Sequence, residues 1–183
     1  MRNIIITILM GLSLIACADK KTKTENKTLQ TSKETNIQAR ASFSVKEIIN
    51  DYLDIKNALT KDDGKATAEA AKKLFETLDA LDQEQKAVFM DIYESLHENA
   101  EHISTNAGNV EHQREHFSLL SRDINDLIDS FGTGGIKLYQ DFCPNYNKGE
   151  GAIWLSEKKE IINPYYGAKM PDCGSIKKEL QNE

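Results

Sequence analysis

Four runs of apolar residues at helical spacing lie between Ser44 and Phe131, and they constrain the fold more tightly than any other feature of the chain. Ser44 and Glu47 have the S-x-x-E spacing of a capping box, and Val45, Ile48, Ile49, Tyr52, Leu53 and the stretch Ile55 to Leu59 form the first stripe. A second helix is predicted to begin near Asp62 or Asp63. Its stripe is Ala66, Ala70, Ala71, Leu74, Phe75, Leu78 and Leu81, and the density of alanine predicts close approach to a neighbour. Asp82 with Gln85 repeats the capping signal and opens a third helix carrying Phe89, Ile92, Tyr93, Leu96, Ala100 and Ile103, broken at Asn106 to Asn109. The fourth runs from Val110 to Phe131, with Phe117, Leu120, Ile124, Leu127 and Phe131 inward, and stops at Gly132. Short connections between amphipathic helices predict an up-and-down antiparallel four-helix bundle over residues 43–132.

Beyond Phe131 the character changes. Seven of the ten glycines, all three prolines and the only tryptophan lie there, and no long helical stripe survives until Ile176 to Leu180. Residues 133–183 are therefore expected to form an irregular cap of the same, mainly α, domain. Short extended pieces are expected within it at Lys137 to Phe142 and Ala152 to Leu155.

The other end of the chain has a basic start, Met1-Arg2, then an apolar run from Ile4 to Ile15 that is too short to span a bilayer. This is the pattern of an export signal over residues 1–16. Leu14-Ile15-Ala16-Cys17 resembles the lipobox of bacterial lipoproteins, which implies a lipid-modified Cys17 and a mature chain held on an envelope membrane facing the periplasm. Residues 17–42 are polar, lack aromatics, and are expected to act as a flexible tether. Removing residues 1–16 takes away Arg2 alone, so Lys+Arg falls from 23 to 22 against 29 Asp+Glu, and the net charge goes from -6 to -7. An acidic chain without clustered Lys and Arg is a poor nucleic-acid partner.

Setting Cys17 aside leaves one pair of cysteines, Cys143 and Cys173. Met170-Pro171-Asp172-Cys173 puts a thioether and a thiol on one turn, and Cys143-Pro144 supplies a second arm. Such sulfur donors suit a soft ion such as Cu(I), whereas an exported location equally allows a disulfide closing a loop of about 30 residues. Spacing alone leaves both open. The four histidines all lie between His97 and His116. If the third and fourth helices form a hairpin, His102 lies across from His112 and His97 lies near His116, while His112 and His116 are i, i+4 neighbours that can share a metal. The alternative is that they are solvated surface residues. Thr133-Gly134-Gly135 lacks the lysine of a phosphate loop, and no cysteine has a histidine beside it in a hydrolase signature, so no enzymatic activity is expected.

Several stretches together resemble the DUF3347 family of exported bacterial proteins. They include Tyr52-Leu53-x-Ile55-Lys56-Asn57-Ala58-Leu59, His112-Gln113-Arg114-Glu115-His116-Phe117, and Tyr139-Gln140-x-Phe142-Cys143-Pro144. Later ones are Trp154-Leu155-Ser156, Asn163-Pro164-Tyr165-Tyr166-Gly167 and Met170-x-x-Cys173-Gly174, so that the likeness extends over residues 44–178. The resemblance implies a domain also attached to periplasmic adaptor subunits of heavy-metal efflux pumps, and hence binding or transfer of copper or a similar soft cation. The family's Cys-Pro-Met appears here as Cys143-Pro144-Asn145, an amide in place of a thioether.

The combined expectation is a lipid-anchored, non-enzymatic envelope domain that binds copper and partners metal-efflux components. Cys143 and Cys173 are its expected thiolate ligands, Met170 its thioether, and His116 or His102 its imidazole donor. The rival expectation is a structural or interaction lipoprotein whose Cys143 and Cys173 are joined to each other.

Overall fold

The computed structural model describes residues 45–181. The expected signal segment 1–16, the expected lipidation of Cys17 and the expected tether 17–42 lie outside the described residues. Five α-helices are followed by a small sheet: α1 over residues 45–59, α2 Gly64–Asp79, α3 Gln83–Val88, α4 Met90–Thr105 and α5 Val110–Phe131, then strands β1 Leu138–Cys143, β2 Ala152–Ser156 and β3 Ser175–Leu180. No described helix is long and apolar enough to cross a membrane.

Helix α1 is the centre of the packing. Val45, Ile48, Ile49, Tyr52, Ile55 and Leu59 are at most 1% exposed, and each such aliphatic side chain contributes about 1.5–3 kcal/mol by leaving water. Two of its charged residues, Asp51 and Lys56, are buried as well, because partners approach from several directions. Asp51 pairs with Lys73 at 2.8 Å and accepts the Thr77 hydroxyl at 2.6 Å, both on α2. The Tyr52 hydroxyl bonds Ser121 of α5 at 2.8 Å and accepts the Leu155 N–H of β2 at 3.0 Å. Lys56 reaches Glu157, just past β2, at 2.7 Å.

Local signals set most helix ends. Asp63 caps α2 by accepting the Ala66 N–H at 2.9 Å. Asp82 and Gln85 form a reciprocal capping box at the start of α3, and Asn109 caps α5 through the His112 N–H at 3.2 Å. Gly132 ends α5 with φ 78, a left-handed conformation that suits glycine. The expected third helix is in fact two. Phe89, with φ -134 and ψ 36, separates α3 from α4 while burying its ring 6.2 Å from those of both Tyr93 and Phe131.

The C-terminal part is more regular than an irregular cap. The sheet is antiparallel in the order β2-β1-β3, with Asp141 opposite Trp154 and Cys143 opposite Ala152. β3 occupies Ser175–Leu180, where the last helical spacing was expected; a register shift between Gln140 and Asp141 sets Ile176 opposite Asp141 and Leu180 opposite Leu138, leaving Leu180 buried and Ile176 exposed, and the strand completes the second edge of β1. Aromatic packing fixes the connecting loops. Tyr165 is 1% exposed, stacks 4.3 Å from Tyr146, lies 5.7 Å from Phe117 of α5, and donates its hydroxyl to the Ile153 carbonyl. Asn163 holds the loop around it, accepting from the Tyr165 and Tyr166 N–H groups and donating to the Cys173 carbonyl at 2.6 Å. Gly167, at φ 52, leaves room for the ion pair of Asp62 with Arg114; a Cβ there would collide with both side chains.

Candidate metal centre

Helices α4 and α5 form a hairpin through the turn at Asn106–Asn109, and this brings together side chains from both. Gln113, buried, stitches the tip by donating to the carbonyls of Ile103 at 3.2 Å and Gly64 at 2.9 Å. On the outer face of the hairpin, His102 of α4 meets His112 and His116 of α5. His102 and His116 stack with ring centroids 4.3 Å apart, and His112 lies edge-on to His116 at 4.6 Å and to His102 at 6.0 Å. One ligand atom from each lies within 4.8 Å of the others, and all three residues are partly exposed. Among the described residues this is the only group of three or more histidine, cysteine or acidic side chains so arranged.

The surroundings grade from wet to dry across the triad. His102 faces Glu98 at 4.0 Å and His112 faces Glu115 at 3.5 Å, both acids being largely exposed. His116 is the innermost. Burial, reinforced by the neighbouring His102 and His112, lowers its pKa below the usual histidine value, which favours the neutral, lone-pair-bearing form. Its Nδ1 lies 2.9 Å from Oδ1 of Asn99, a residue 5% exposed on α4.

His97 does not join the group. It turns toward α2, where its ring sits 4.2 Å from Phe75 and its Nε2 is 3.0 Å from Asp79. Five positions separate it from His102, which on a helix rotates a side chain by about 140°.

The expected five-residue set is not assembled. Cys143 and Cys173 are brought together, with Cα atoms 5.7 Å apart, but they are joined as a disulfide. Neither belongs to the histidine group. Cys143 is fully buried in the core. Arg114 shows how this part of the chain meets α5: buried, it donates to the Pro164 carbonyl at 2.9 Å and pairs with Asp62. Two positions on a helix are about 200° apart, so Arg114 projects from the side opposite to His112 and His116. Met170 is 37% exposed on the turn before Cys173. Asn145, where the resembled family has methionine, donates from Nδ2 to the Cys173 sulfur at 3.5 Å.

The donor chemistry therefore divides. A sulfur pair consumed in a disulfide offers no thiolate, so it does not fit Cu(I) in this state. Three imidazoles from two rigid helices fit a late first-row ion such as Cu(II) or Zn(II), with a coordination position left open to solvent. Asn99 was absent from the sequence expectations. Its only signal is an asparagine in the middle of an otherwise favourable helical run, where its propensity is poor.

This is a mainly helical domain closed by a small antiparallel sheet, with a histidine triad on one hairpin. The chain matches the model of the DUF3347 family, described as a protein of unknown function, over residues 48–135. The matched stretch ends before β1, so the sheet and both cysteines lie outside it. No curated protein and no solved structure shows a significant match to the chain.

Proposed function

We propose that this protein is a non-enzymatic, lipid-anchored envelope domain that binds a transition-metal ion, with Cu(II) first and Zn(II) second in affinity, through His102, His112 and His116. The observation that carries the reading is the convergence of three imidazoles within 4.8 Å from two helices. Imidazole sites follow the order in which Cu(II) exceeds Zn(II). Partial exposure of all three rings supports an exchangeable ion, suited to buffering or transfer, over a closed structural site. The lipobox-like Leu14-Ile15-Ala16-Cys17 supports an envelope setting, and the resemblance to domains attached to efflux adaptors supports metal-efflux components as partners.

Titration of the mature chain with Cu(II) and with Zn(II), followed by calorimetry and by melting temperature, tests the reading. One ion should bind per chain and raise the melting temperature by mass action. A His102→Ala, His112→Ala, His116→Ala variant should lose both effects. Equal binding by the variant and the parent, or none by the parent, would sink the proposal.

A second reading rests on one observation of its own. The Cys143–Cys173 disulfide supports a structural or interaction lipoprotein, with the sheet as the surface offered to an envelope partner. The two readings separate in the same titration, because this one requires no ion.

A further inference from the structure

The geometry points to Asn99 as the positioning residue of the histidine triad, acting on His116 by fixing which of its ring nitrogens carries the proton. This rests on the metal-binding reading for its purpose, but its structural content stands on a hydrogen-bond network that can be read without any ion.

The orientation of the Asn99 amide is determined by what surrounds it. Its Nδ2 lies 2.9 Å from the Ser95 carbonyl, 3.3 Å from the Ser95 hydroxyl oxygen and 3.3 Å from Oδ2 of Asp123. The carbonyl and the carboxylate can only accept. The Ser95 hydroxyl spends its own hydrogen on Asp123 at 2.7 Å, so toward Asn99 it accepts as well. The NH₂ end of Asn99 must therefore face this group, and its Oδ1 must face His116.

An amide oxygen only accepts. The 2.9 Å contact then requires a proton on Nδ1 of His116, and the neutral ring keeps its lone pair on Nε2. The chain Asp123–Ser95–Asn99–His116 thus presets one tautomer and one ring orientation in the innermost of the three histidines. Among the described residues, the polar side chains that His102 and His112 meet outside the triad are the exposed Glu98 and Glu115, so His116 is the member whose donor atom is fixed before an ion arrives. Preset outer partners of this kind commonly govern metal affinity by about 10- to 100-fold.

The test has two parts. Long-range ¹H–¹⁵N spectra of the metal-free mature chain should show His116 as the Nδ1–H tautomer. An Asn99→Leu variant should lose that signature and weaken Cu(II) binding by about 10- to 100-fold. Because Asn99 is buried, the parent spectrum guards against misfolding of the variant, since it reads the tautomer that the network requires without any substitution. A parent His116 protonated on Nε2, or an Asn99→Leu variant with unchanged tautomer and affinity, would overturn the assignment. A parent with the Nδ1–H tautomer but no affinity for Cu(II) or Zn(II) would uphold Asn99 as the positioning residue and defeat the metal-binding reading instead.

Discussion

The two regions that carry potential metal donors have opposite fates. On the α4–α5 hairpin, three imidazoles stand together at the surface, with partners that orient them but do not use up their lone pairs. In the C-terminal region, both thiols are consumed by each other, and the loops around them are held by Asn163 and by the packing of Tyr165 and Trp154. The contrast teaches that ligand chemistry is decided by spare donor capacity. Residue type only nominates the candidates. The histidines have donors left over, whereas the cysteines are structural.

Breaking the crosslink gives the largest expected effect. A Cys143→Ala, Cys173→Ser variant should lose about 3–4 kcal/mol of stability, from the entropy of a loop of 30 residues. Denaturant unfolding would measure it, and Cu(II) affinity should stay as it was. If affinity changed with the sulfur atoms, the separation of the two regions would be wrong.

A smaller effect is expected from Asp141, which lies on β1 within the C-terminal region. It is fully buried, its carboxyl oxygens receive no hydrogen bond from the described residues, and burial pushes its pKa from 3.8 up to about 7 against the opposing pull of Lys56. The folded state therefore holds a proton that the unfolded state releases between about pH 4 and pH 7, and stability falls as pH rises through that window. An Asp141→Asn variant should be more stable at pH 8, by about 2 kcal/mol, and should lose the advantage near pH 4. Melting temperatures across that range decide it; a difference independent of pH would show that the carboxyl is not the cause.

The smallest effect belongs to the histidines in the absence of metal. His102→Ala and His112→Ala change partly exposed side chains, and each should alter metal-free stability by less than about 0.5 kcal/mol. A large loss in unfolding experiments without metal would make the triad a structural element and erase the contrast with the cysteines.

Much of the helical part was legible because its signals are local. Asp82 with Gln85, Asn109 and Gly132 act within one turn of themselves, so the start of α3 and both ends of α5 follow from sequence. The break at Phe89 does not, because its cause is the burial of one ring against Phe131, more than forty residues on. Strand β3 was hidden for the same reason. Ile176 and Leu180 are spaced for a helix, but the hydrogen-bonding edge of β1 claims them, and no neighbour in sequence announces that edge. In the candidate site, the pairing of His102 with His112 followed from folding the hairpin about its turn. The exclusion of His97 depended on Phe75 and Asp79 of another helix. The spacing of the cysteines left open whether they share an ion or a crosslink, and it is the bond between their sulfurs in the fold that decides for the crosslink.

Helix α1 has a consequence for how the protein comes into being. Its Tyr52 and Lys56 find their partners in Leu155 and Glu157, about a hundred positions downstream. Emerging chain must therefore wait, its first helix unfinished, until the second strand has been delivered. Assembly is bound to be a late and largely all-at-once event, slow for a protein so rich in helix. A factor that shields the early segment during that interval would act on α1 before any other part.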